Sequence, residues 1–166
     1  LNSPQALRSI ERIAHQFGDV ILVGAGTVLA PEQVHQVREK GGRLIVAPNT
    51  NLPVIQAGVE AEMVTIPGAA TPTEAFAGIQ AGASGVKVFP AEAIGPQVLA
   101  SWRAVIPDTA PLLPVGGIDS HNMSDYWQAG AAGFGIGGAL YKLGKSLGDI
   151  SASATKLVWS ATSLTK

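Results

Sequence analysis

Six short apolar runs, each followed by glycine or proline, restrict this chain to few folds. They are Val20-Ile21-Leu22-Val23, Leu44-Ile45-Val46-Ala47, Met63-Val64-Thr65-Ile66, Val86-Lys87-Val88-Phe89, Leu112-Leu113-Pro114-Val115 and Gly133-Phe134-Gly135-Ile136, and their ends recur every 19 to 26 residues. Unbroken apolar runs of this length suit strands buried on both faces, as in parallel sheets. Between them lie stretches with helical spacing and helix signals. Ser3-Pro4 is expected to start a helix whose apolar face is Leu7, Ile10, Ile13 (or Ala14) and Phe17, closed by Gly18. Pro31 opens a second helix, and Thr71-Pro72-Thr73-Glu74 has the form of a capping box. A helix is expected from about Gly95-Pro96, another capped by Ser120, a short one at Ala139–Lys142 and a last one from Leu147.

Strand alternating with helix at this period predicts an α/β fold with a parallel sheet covered by helices. An open doubly wound sheet and a (β/α)8 TIM barrel both satisfy the pattern. The regular period and the Gly- and Pro-rich loop after every strand favour the barrel. Six strands are counted where a closed barrel has eight, and the chain begins at a strand-to-helix junction. The expectation is therefore a single domain over residues 1–166, a barrel incomplete at its N-terminus with about six βα units.

Composition narrows the function. The 166 residues are 46% hydrophobic and 14% charged, which is a globular balance. A net charge of -1 with no basic run argues against a nucleic-acid partner. Cysteine is absent, so disulfides and thiolate metal sites are excluded. No apolar run approaches the length of about 18 residues that a membrane span needs, so no membrane partner is expected. The opening LNSPQALRSI lacks the charged start and apolar centre of a signal peptide, and the cytoplasm is the expected location.

Few motifs carry chemistry. Gly24-Ala25-Gly26 follows a strand, but Leu29 stands where a dinucleotide fingerprint needs its third small residue, so a tight turn is the simpler reading. Gly116-Gly117 and Gly137-Gly138 follow the last two strands, where barrels commonly bind phosphate through backbone N–H groups. His15, His35 and His121 lack ligand spacing, and no metal site is expected. Lys87 is the anomaly, an ammonium at the centre of an apolar strand. Either it is a paired structural residue, or desolvation lowers its pKa and makes it a nucleophilic amine.

The segments LNSP, VGAGTVLAPEQV, IVAPN, PGAATPTEAFAGIQAGA, VKVFPAEAIGP, PVGGI and GIGGALY resemble, in order, those of the KDPG/KDPGal aldolases. These are class I, Schiff-base aldolases on a TIM barrel, and the resemblance runs from Leu1 to about Lys145. It implies a lyase that cleaves a phosphorylated keto-deoxy sugar acid with no cofactor and no metal, and a homotrimer. It implies that Lys87 forms the Schiff base and that Thr27 helps hold the pyruvate carboxylate, with Phe89 lining the site. Val115, Gly116, Gly117, Gly137 and Gly138 are then expected around the phosphate. Gly138 departs from the family, which often has serine there. LNSP, GPQ and WRAVIP look more like the 2-dehydro-3-deoxy-6-phosphogalactonate branch than the phosphogluconate branch. The family's catalytic Glu and carboxylate-binding Arg fall at positions preceding Leu1. The alternatives are a phosphogluconate aldolase, an inactive fragment of the family, or another phosphate-binding barrel such as an isomerase or epimerase.

Overall fold

A computed structural model describes residues 1–164. The chain forms two compact units, Leu1–Lys87 and Val88–Lys166. The first contains α1 (Ala6–Phe17), β1 (Gly24–Gly26), α2 (Pro31–Glu39), β2 (Leu44–Val46), α3 (Leu52–Glu60), β3 (Val64–Ile66), β4 (Gly68–Ala69) and α4 (Pro72–Gln80). Strand β5 (Val86–Val88) runs across the division. The second holds α5 (Ala91–Arg103), β6 (Leu112–Pro114), α6 (Met123–Gln128) and α7 (Leu147–Ser163).

The parallel α/β alternation is as expected. Strands β1, β2 and β3 lie side by side in parallel, with Ala25 opposite Ile45 and Ile45 opposite Thr65. That central row points to the helices. Ala25 and Ile45 share a core with Ile10 of α1, Val34 and Val37 of α2, and Val54 of α3. Thr65, 1% exposed, meets α3 at Gly58, where a Cβ would lie 2.2 Å from its Oγ1.

The first strand lies further along than the apolar run predicts. Val20 and Ile21 leave α1 in a turn, both amides donating to Phe17 O, and Val20, Ile21 and Leu22 are exposed. The small residues Gly24-Ala25-Gly26 form the strand instead. The reason is steric: a side chain on Gly24 would sit 2.0 Å from Leu44 O, so only glycine admits this pairing.

Four helix boundaries also differ. Helix α1 starts at Ala6 behind Gln5, with no side-chain cap, so Ser3 does not cap it. Helix α5 starts at Ala91, and Gly95 (φ 73°) followed by Pro96 breaks it into two pieces. Asn122, not Ser120, precedes α6, and Asp119 Oδ1 receives the amides of His121 and Asn122. Ala139–Lys142 makes one turn, with the Leu140 and Tyr141 amides both donating to Gly137 O. The last predicted strand is reduced to a single parallel bridge between Val115 and Gly135. Its Gly-Phe-Gly-Ile composition explains the shortness, because glycine weakens a strand interior. The capping box at Thr71–Glu74 forms as expected.

Candidate active site

In the first unit, Lys87 sits where β5 needs an alternating pleat. Val86 and Val88 are fully buried on one face, which leaves Lys87 half-buried on the other. Its backbone amide donates to Pro67 O at 2.8 Å. Burial pushes the pKa of its amine below the ordinary lysine value. A depressed ammonium supplies more neutral amine near pH 7, which is the form that attacks a carbonyl.

Thr27 follows β1 in the left-handed region at φ 58°. A β-branched residue is strained there. It lines a cavity of about 330 Å³ with Gly24, Ala25 and Gly26, and is half-buried. Val28 beyond it is tied to β2 by its amide, which donates to Val46 O at 3.3 Å.

The second unit gathers the remaining six expected residues. Phe89, Val115, Gly116, Gly117, Gly137 and Gly138 line one cavity of about 480 Å³. Val115 reaches it because its amide donates to Val88 O and it bridges to Gly135. Gly116 and Gly117 take φ of 106° and 68°, a turn that aligned residues with side chains do not make readily. The Glu92 carboxylate packs against both, with Oε2 3.0 and 2.7 Å from where their Cβ atoms would be. Asn122 Nδ2 donates to Gly117 O at 2.8 Å and fixes the peptide that follows the pair.

The two charged side chains of this cavity, Asp119 and Lys142, were not among the expected site residues. Lys142 lies four residues beyond Gly138, so one turn folds its chain back over that glycine. Its Cε is 3.6 Å from the site of an added Gly138 Cβ. That spacing was the available signal. The cavity therefore has exposed glycines at 117, 137 and 138, with one cation, Lys142, and one carboxylate, Asp119, on its lining.

Among the described residues, no group of three or more His, Cys, Asp or Glu is arranged to hold a metal ion, and no helix is long and apolar enough to cross a membrane.

The parallel α/β fold thus carries a half-buried strand lysine with a lowered pKa in its first unit and, in the second unit by itself, a glycine-lined cavity that Lys142 also lines. Comparison with known proteins defines the class. Residues 1–150 match the model of the KDPG and KHG aldolase family. A 2-dehydro-3-deoxy-6-phosphogalactonate aldolase of Escherichia coli (strain K12) is 45% identical over 147 residues, covering 89% of this chain and 72% of the relative. A solved structure of native KDPGal superposes with TM-score 0.96 at 41% identity, over 99% of this chain and 80% of the other. A KDPG aldolase from Legionella pneumophila, solved with pyruvate captured as a covalent carbinolamine, superposes with TM-score 0.78 at 31% identity. It matches 99% of this chain and 76% of its own. The chain belongs to the KDPG and KHG aldolase family. Its fold is the TIM-barrel type of those aldolases and its reaction class is that of a carbon–carbon lyase.

Proposed function

We propose that this chain cleaves 2-dehydro-3-deoxy-6-phosphogalactonate to pyruvate and D-glyceraldehyde 3-phosphate through a Schiff base on Lys87. The observation that carries the reading is the Lys87 amine, half-buried on β5 with its pKa lowered by burial. The carbinolamine trapped in the Legionella relative supports the covalent chemistry. The galactonate substrate is supported by 41% identity on superposition with native KDPGal against 31% with the Legionella KDPG aldolase.

Neutral Lys87 attacks the C2 ketone, and loss of water gives a protonated imine. A base removes the C4 hydroxyl proton, the C3–C4 bond breaks, and its electron pair moves into the imine as an enamine. Glyceraldehyde 3-phosphate leaves as the aldehyde. Protonation of the enamine at C3 and hydrolysis release pyruvate and regenerate the amine. One high barrier is thereby divided into smaller ones. Thr27 holds the carboxylate end and Phe89 lines the site. Val115 and the glycines at 116, 117, 137 and 138 take the phosphate, with Lys142 adding charge. No cofactor or metal enters this scheme.

The reading places the protein in the cytoplasm, because a phosphorylated sugar acid is too highly charged to cross a bilayer unaided. It acts as a single domain within a homotrimer, and the exposed Val158 and Trp159 of α7 offer apolar surface for assembly. Pyruvate release from the galactonate and gluconate substrates, followed side by side with light scattering of the native protein, tests the proposal. Faster turnover of the galactonate epimer by a trimer is expected. Preference for the gluconate epimer reassigns the substrate, and release from neither overturns the activity.

A further inference from the structure

Lys145 lies outside the cavity of the second unit, in the turn that leads into α7. Its ammonium has three protons to donate. They go to Ala139 O, Leu140 O and Ser153 Oγ, each at 3.1 Å. Ala139 and Leu140 belong to the turn that begins at Gly137, and their carbonyls lie at its C-terminal end. Ser153 lies on α7. One half-buried cation therefore fastens the loop carrying Gly137, Gly138 and Lys142 to the last helix.

The same helix reaches the other glycine loop. Lys156 Nζ lies 3.3 Å from His121 Nε2, two residues beyond Asp119. Asp119 and Ala139 each line two cavities, the large one and a smaller one facing Ser153 and Lys156. The two loops are thus held by α7 from the side away from the anion cavity.

We propose that Lys145 is a positioning residue for phosphate binding, holding the Gly137–Lys142 turn in register through the carbonyls of Ala139 and Leu140. The inference rests on the phosphate reading of the cavity given above. The planes of the Ala139 and Leu140 carbonyls carry the amides of Leu140 and Tyr141, which donate to Gly137 O, and the plane of Gly137 O carries the Gly138 amide. Without the ammonium, two buried-side carbonyls lose their donor and the turn frays. The hold on Gly137 O, and with it on the Gly138 amide in the same plane, is then weakened.

Titration of the full chain with inorganic phosphate, followed by backbone amide NMR, tests this together with hydrogen exchange of the ligand-free protein. In the wild type, phosphate should shift Gly116, Gly117, Gly137 and Gly138. In Lys145→Met, affinity should fall about tenfold, the loss of one to two charge-assisted bonds. Exchange should quicken at residues 138–142 and stay unchanged at Val88 and Leu112. Lys145→Arg, which keeps the donors, should recover most of the affinity. Unchanged phosphate affinity in Lys145→Met overturns the proposal while leaving the phosphate site standing. Faster exchange throughout the second unit assigns Lys145 to general stability and overturns it too. No phosphate response in the wild type removes the phosphate reading itself, and the role of Lys145 falls with it.

Discussion

The Tyr126 hydroxyl donates to Ala91 O at 2.8 Å, and the Ala91 amide donates in turn to Val115 O, also at 2.8 Å. Helix α6 is thereby latched to the residue that precedes Gly116-Gly117. Tyr126 is 5% exposed and Ala91 fully buried, so water does not replace a lost partner. Tyr126→Phe should cost about 1–3 kcal/mol in chemical denaturation. Burial, then the charges of Glu92 and Asp125, push the phenol pKa above its usual value. A raised acid binds its proton more tightly when folded. Its contribution is full below the unfolded value of about 10 and is lost as pH rises through the folded one. Wild-type stability should therefore fall more steeply than that of Tyr126→Phe above pH about 10.

The glycine pairs should respond differently to side chains. Gly117→Ala puts a Cβ 2.7 Å from Glu92 Oε2 at φ 68°, costing about 1–2 kcal/mol in backbone strain alone. Adding Glu92→Ala should relieve the clash and leave the strain. Gly138→Ser meets nothing nearer than Lys142 Cε at 3.6 Å. Its hydroxyl should improve phosphate binding by about 1 kcal/mol, near fivefold. Chemical denaturation checks the Gly117→Ala variants and calorimetric titration with glyceraldehyde 3-phosphate checks Gly138→Ser, whose weaker binding would contradict this geometry.

The alternation of strand and helix was legible because each buried run is apolar and each loop carries Gly or Pro. Lys87 was legible as a charge in such a run. Its chemistry was not, since the residues admit a paired lysine as readily as a nucleophile. The first strand was misplaced because Val20–Leu22 outscore Gly24-Ala25-Gly26 in hydrophobicity, while the pairing with Leu44 depends on an absent side chain. Ser120 looked like a cap until Asp119 took the amides of His121 and Asn122. Lys142 and Lys145 were given no site role because that role depends on how one turn folds back, which no periodicity encodes.

The capping box of α4 gives an acid-side prediction. Glu74 Oε2 accepts from the Ala70 and Thr71 amides at 2.8 and 2.9 Å. The Ala70 amide first, then the Thr71 hydroxyl, holds its carboxyl below the usual range. Its contribution is present above the unfolded value of about 4.3 and lost as pH falls through the folded one. Thr71→Ala should cost about 1 kcal/mol at neutral pH. Glu74→Gln should flatten the stability profile below pH about 4, slightly, because the group is exposed.

Lys87 should be a stability cost. Folding disfavours its charged form, so the cost is full below the folded pKa and fades as pH rises towards the unfolded value of about 10.4. Lys87→Met should unfold at higher denaturant than the wild type at pH 7, with the gap narrowing by pH 10. A Lys87→Met protein less stable at every pH would show that the lysine is structural.

The most direct test of the account is borohydride reduction in the presence of pyruvate, followed by peptide mass mapping. The account predicts one reduced pyruvyl group on the peptide containing Lys87, and none in Lys87→Met. No adduct, or an adduct on Lys142, would contradict it.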